Sequence, residues 1–102
     1  QKLKIMKTQI QTLHFTADQK LLSFIEKKIN KLPLIYDKII DSSVVLSMEN
    51  LNTQVKDKVV VIKTNIPGNT LVAKEKAKAF EESVDLAIES LRRQLEKIKN
   101  KN

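Results

Sequence analysis

Catalytic chemistry needs a nucleophile, a proton carrier or a metal, and this chain is poor in all three. It has no Cys and one His, His14. Disulfides, iron–sulfur clusters, thiolate zinc sites and cysteine nucleophiles are therefore excluded. A lone imidazole leaves only carboxylates to complete a transition-metal site, and His14 reads as a surface or strand-end histidine. Asp37 and Asp41 flank Ile39-Ile40, each near a lysine, and read as the ordinary polar entry to a strand. Glu81, Glu82, Asp85 and Glu89 precede Arg92, Arg93, Lys97 and Lys99 along one helical pattern. That order complements a helix dipole, and Glu89 with Arg93 forms an i, i+4 pair. The single Gly excludes a Walker loop and a dinucleotide fingerprint, which need several glycines for close backbone approach to phosphate. No enzymatic activity, cofactor, metal or small-molecule substrate is expected.

The cations are better organised. Nineteen Lys and Arg oppose twelve Asp and Glu, giving a net charge of +7 and a pI near 9.7. Such a chain attracts polyanions, above all nucleic acid. Seventeen of the nineteen are Lys. Lysine suits phosphate contacts, whereas Arg is the commoner reader of base edges. Lys20, Lys27 and Lys31 fall within about 20° of one direction on a helical wheel, opposite a Leu/Ile stripe, and Lys28 lies further round the same side. In the last helix Arg93 and Lys97 share a face, with Arg92, Lys99 and Lys101 nearby, and Lys74, Lys76 and Lys78 lead into it. Two such helices side by side would form one basic strip able to follow a phosphate backbone. Three Phe and one Tyr form no ladder on any strand, which disfavours a single-strand stacking platform.

The elements that must position these residues follow from periodicity. Residues 5–13 alternate, with Met6, Thr8, Ile10 and Thr12 on one side of a strand. Thr16-Ala17-Asp18-Gln19 reads as a capping box on Thr16, with Asp18 as a second cap candidate. The helix behind it aligns Leu21, Leu22, Ile25, Ile29 and Leu32, and Pro33 stops it. From Ile39 to Glu49, Ile40, Val44, Leu46 and Met48 share a strand face. An Asn-rich turn at residues 49–53 leads to a strand from Asp57 to Ile66. It turns Val60, Ile62, Thr64 and Ile66 one way, and Val59, Val61 and Lys63 the other. Pro67-Gly68-Asn69 is a turn, a short strand runs from Thr70 to Lys74, and a long amphipathic helix covers roughly 77–99. Phe15, Phe24 and Phe80 read as core or core edge. The fold class is α+β: a β-α-β-β-β-α two-layer sandwich, a four-stranded sheet with two helices on one face. Strands one and two can be parallel across the first helix, and the later connections are short enough for antiparallel hairpins.

At 102 residues and 41% hydrophobic content the chain suits one domain with one small core. No apolar run reaches the roughly 18 to 20 residues that span a bilayer, and no signal peptide is evident behind the basic N-terminus. Met6-Lys7 has the look of a start, which makes residues 1–5 an extension and 6–102 a single binding domain.

Several stretches, taken in order, are similar to one known family. They are Phe24-Ile25-Glu26-Lys27-Lys28-Ile29-Asn30-Lys31-Leu32, Tyr36-Asp37-Lys38-Ile39-Ile40-Asp41 and Val44-Val45-Leu46-Ser47-Met48-Glu49. Asn65-Ile66-Pro67-Gly68-Asn69-Thr70-Leu71-Val72-Ala73 and residues 83–97, from Ser83-Val84-Asp85 to Leu95-Glu96-Lys97, complete the set. Together they resemble the ribosome hibernation promoting factor family, which includes ribosome-associated inhibitor A and was formerly labelled as sigma-factor modulation proteins. The resemblance spans about residues 6–101. It implies a fold like that of double-stranded RNA-binding domains. It also implies a cytoplasmic factor that occupies the mRNA and tRNA channel of the small ribosomal subunit. Such a factor contacts rRNA and some ribosomal protein, competes with tRNA and mRNA, and blocks translation sterically in starvation or stationary phase. The family's basic contacts carry over to Lys27, Lys28, Lys31, Arg93, Lys97 and Lys99. With the wheel's Lys20 and Arg92, the expected rRNA-binding set is Lys20, Lys27, Lys28, Lys31, Arg92, Arg93, Lys97 and Lys99. Asp85 matches a family position and is expected to organise local structure. Glu81 stands where relatives often carry Tyr, and Ile98 where some place a polar or basic residue. The length resembles that of a short family member or of a truncated longer one; long members carry a second, C-terminal domain that pairs ribosomes. Two rival readings are a protein-interaction module using Val45, Val59 and Val61 on the open sheet face, and a general binder of structured RNA.

Overall fold

The computed structural model describes residues 7–49 and 56–101. The proposed start at Met6, the extension before it and the Asn-rich turn after Glu49 lie outside these residues. The described chain runs β1 (Lys7–Thr12), α1 (Gln19–Ile29), α2 (Leu32–Ile35), β2 (Asp41–Glu49), β3 (Asp57–Ile66), β4 (Asn69–Ala77) and α3 (Phe80–Asn100). The four strands form one sheet in the order β1-β2-β3-β4. β1 pairs parallel with β2, while β2–β3 and β3–β4 are antiparallel. This is the expected architecture, with one added turn of helix.

Alternation along the strands divides the sheet into two faces. Val44, Leu46, Val60, Ile62, Thr64, Ile66, Leu71 and Ala73 turn toward the helices and are buried. Against them pack Leu21, Ile25 and Ile29 of α1, Leu32 of α2, and Phe80, Val84, Ala87, Leu91 and Leu95 of α3. Each fully buried Leu or Ile removes enough apolar surface from water to contribute about 1.5–3 kcal/mol. Ser42 and Thr64, buried in this layer, share a hydrogen bond of 2.9 Å. Buried Ser83 donates to the Lys58 carbonyl at 2.6 Å and so ties the start of α3 to β3.

On the opposite face, register builds two central rows. One crosses the sheet as Gln11, Val45, Val61 and Lys74, and the next as Gln9, Ser43, Lys63 and Val72. No helix among the described residues covers these rows.

Several expectations are corrected. Asp18, not Thr16, caps α1, with its Oδ1 accepting from the Leu21 amide at 2.8 Å. α1 ends at Ile29 rather than at Pro33, which sits in the first turn of α2, where a missing amide hydrogen costs nothing. Ile39 is 2% exposed and Ile40 58% exposed. β2 begins only at Asp41, so the strand alternation does not reach back to Ile40. β4 extends to Ala77 because it pairs with β3 as far as Lys58, and α3 accordingly starts at Phe80. Val59 is 2% exposed, flanked on the interior strand by Ser47 and Lys76. The apolar patch on the open face is therefore Val45, Val61 and the exposed Val72, without Val59.

Candidate nucleic-acid interface

α1 and α3 lie side by side and run in the same sense. Phe15, just before α1, stacks on Phe80 at the start of α3 with ring centroids 5.2 Å apart. Beyond α1, Leu34, Tyr36 and Lys38 line a cleft with Lys99, near the end of α3. The backbone at Asn30 and Lys31 stays right-handed helical, which carries the wheel of α1 through to Lys31. Lys20, Lys27 and Lys31 are all exposed and fall within an arc of about 40° at 100° per residue. Seven- and four-residue spacings stack them along the helix as a row of ammonium groups.

Lys28 is different. It is half-buried, its Nζ lies 3.2 Å from Asp85 of α3 and 5.3 Å from the centroid of the Phe24 ring. Asp85 thus joins the two helices, in line with the local organising role expected of it. A lysine already facing a carboxylate and a ring has less positive potential to offer a phosphate than its exposed neighbours.

Arg92 is also engaged. Its guanidinium bonds Glu89 one turn back and Glu96 one turn on. The hydrogen bond to Glu89 raises the Arg92 pKa above its already high value, and the same bond holds the Glu89 carboxyl below the usual range. Arg93 reaches Glu89 more loosely, at 3.6 Å, and is exposed along with Lys97, Lys99 and Lys101. On the wheel Arg92 and Lys99 point to the same side as Asp85, toward α1. Arg93, Lys97 and Lys101 lie about 80°, 120° and 160° round from Asp85, progressively toward the flank above β4. The Gln94 side chain marks that flank by donating to the Val72 carbonyl at 3.1 Å.

The eight expected residues therefore do not form one uniform strip. Lys20, Lys27 and Lys31 make one exposed row. Arg93 and Lys97 make a second, on the far flank of α3. Glu82, Asp85, Glu89 and Glu96 lie between them along the outer side of α3. Toward the C-terminal end of α3, Lys38, which periodicity could not reveal because it lies in a loop, stands across a cleft from Lys99. Lys74 and Lys76 do not lead into α3. They belong to β4 and face the open side of the sheet opposite Val61 and Val59. Lys78 pairs with Asp57 at 2.5 Å.

This arrangement can hold phosphates through multiple point charges. Among the described residues there is no group of three His, Cys, Asp or Glu able to hold a metal. His14 is exposed in the β1–α1 loop with φ of 66°.

The family model described as Sigma 54 modulation protein / S30EA ribosomal protein matches residues 8–102. The chain belongs to that family. No curated protein matches the sequence significantly. Two solved structures share the fold. A ribosomal subunit interface protein from Coxiella burnetii superposes with a TM-score of 0.82 at 24% identity, over 93% of this chain and 99% of that one. The Protein Y N-terminal domain of Thermus thermophilus gives a TM-score of 0.77 at 19% identity, over the same shares.

Proposed function

We propose that this chain is a ribosome hibernation factor of the cytoplasm. It binds the small ribosomal subunit in the mRNA and tRNA channel and inhibits translation by occupying that space under starvation or stationary phase. The observation that carries the reading is the family match across residues 8–102. It is supported by two structural relatives, one of them named for the ribosomal subunit interface. The mechanism involves no bond chemistry. Lys20, Lys27 and Lys31 on α1 and its extension, Arg93 and Lys97 on the far flank of α3, and Lys99 at the cleft beside Lys38 contact rRNA phosphates, while the sandwich itself fills volume that tRNA needs. Lys28 and Arg92 act mainly by holding the helices that present the rest. No helix among the described residues is long and apolar enough to cross a membrane.

The test is cosedimentation of the purified chain with 70S ribosomes and isolated subunits, with and without tRNA, at two salt concentrations. The expected result is small-subunit binding that tRNA displaces and that salt weakens, because phosphate contacts release counterions. Equal binding to free duplex RNA would replace the reading with general recognition of structured RNA. No binding at low salt would overturn both.

A further inference from the structure

We infer that the open face of the sheet is a second interaction surface, and that its occupant is an extended acidic polypeptide segment with alternating apolar side chains. Val45 and Val61 sit side by side in register on β2 and β3, half-buried at the centre of that face. Val72 of β4, beside Lys63, is 47% exposed. Lys63, Lys74 and Lys76 are exposed around these valines. The carboxylates on this face lie at its margins. Asp41 accepts from Asn65 at 2.6 Å, Glu49 at the end of β2 borders a shallow pocket with Lys74 and Lys76, and Asp57 pairs with Lys78. The centre is therefore apolar and cationic together.

That combination selects the partner. A second copy of this chain would bring like charges together, both from the patch and from the net +7. Single-stranded RNA would satisfy the lysines but find no ring to stack on, since Phe15, Phe24, Tyr36 and Phe80 all pack on the helical side. A strand-like peptide alternating carboxylates with small apolar residues matches both features. Its apolar side chains cover Val45, Val61 and Val72, and its carboxylates meet Lys63, Lys74 and Lys76. The inference does not rest on ribosome binding, because the helices and the sheet lie between the two surfaces.

The experiment is NMR titration of the valine methyls with three probes: a ten-residue peptide alternating Glu and Val, one alternating Lys and Val, and a ten-nucleotide oligouridine. The Glu-Val peptide is expected to shift the methyls of Val45, Val61 and Val72, and the other probes to leave them in place. Lys63→Gln/Lys74→Gln is expected to weaken the peptide about tenfold, the effect of losing two exposed ion pairs. Val72→Ser should also weaken it. Cosedimentation with the small subunit should persist in both variants, which checks their fold. No methyl shift up to millimolar peptide, equal shifts with oligouridine, wild-type affinity in the lysine variant, or shifts that depend on protein concentration alone would each overturn the inference.

Discussion

Replacing Lys27 and Lys31 together by Ala is the sharpest probe of how the helical face meets RNA. Both side chains are exposed on the outer side of α1 and its short extension, so truncation should leave the core intact. If each contacts one phosphate, each contributes about 0.9 to the slope of log K against log salt on duplex-like RNA. Losing both should flatten the slope by about 1.8. Between 50 and 200 mM salt, a fourfold step, the wild type should then lose about 12-fold more affinity than the variant loses. The assay is small-subunit binding by filtration or fluorescence at four salt concentrations, with circular dichroism to check folding. Lys28→Ala supplies the contrast. Its ammonium already faces Asp85 at 3.2 Å, so its slope should change less, while stability falls by up to about 1 kcal/mol. A Lys27/Lys31 variant that folds normally and keeps the wild-type slope would refute the assignment of phosphate contacts to this row.

Other outcomes test the scaffold. Asp18→Ala should cost about 1 kcal/mol by removing the helix cap, and Thr16→Ala much less, as read by urea denaturation. Leu91→Ala, fully buried at the α3–sheet contact, should cost about 2–5 kcal/mol and lower the melting temperature. For Glu89 the hydrogen bond from Arg92 lowers the folded-state pKa below the ordinary 4.5. Its small contribution is thus full above that value and lost as pH falls through the lowered one. Glu89→Gln should narrow the stability difference between pH 7 and pH 3, measured by thermal melts.

Much of the architecture is legible because it is local. The stripe from Phe80 to Leu95, the alternation in β1 and the Pro67-Gly68 turn each carry their own periodic or conformational signal. What escapes the sequence depends on partners far along the chain. Glu75-Lys76-Ala77 has no apolar alternation, and only pairing with residues 58–60 makes it strand. That pairing is also what turns Lys74 and Lys76 onto the open face. Ile39 and Ile40 look equivalent until the start of β2 decides which one enters the core. Thr16 and Asp18 both suit a cap, and only the fold shows that it is the Asp18 carboxylate that meets the Leu21 amide. For the site, exposed Lys20, Lys27 and Lys31 follow directly from the wheel. The engagement of Arg92 was readable from Glu89 and Glu96 at helical spacing. The Lys28–Asp85 contact spans two helices and carries no local mark.

The placement of acids early and bases late along α3 has a further physical meaning. Glu81, Glu82 and Asp85 crowd the end where the helix begins, whereas Lys97, Lys99 and Lys101 share the other end with Lys38. The molecule is therefore a permanent electric dipole as well as a cation. In the field of a polyanion a net charge produces only a pull, but a dipole produces a torque. The torque turns the lysine-rich end forward before any surface touches, so fewer collisions arrive in the wrong pose. At physiological ionic strength this acts within about one Debye length of 8 Å, which makes it a property of arrival rate more than of residence time.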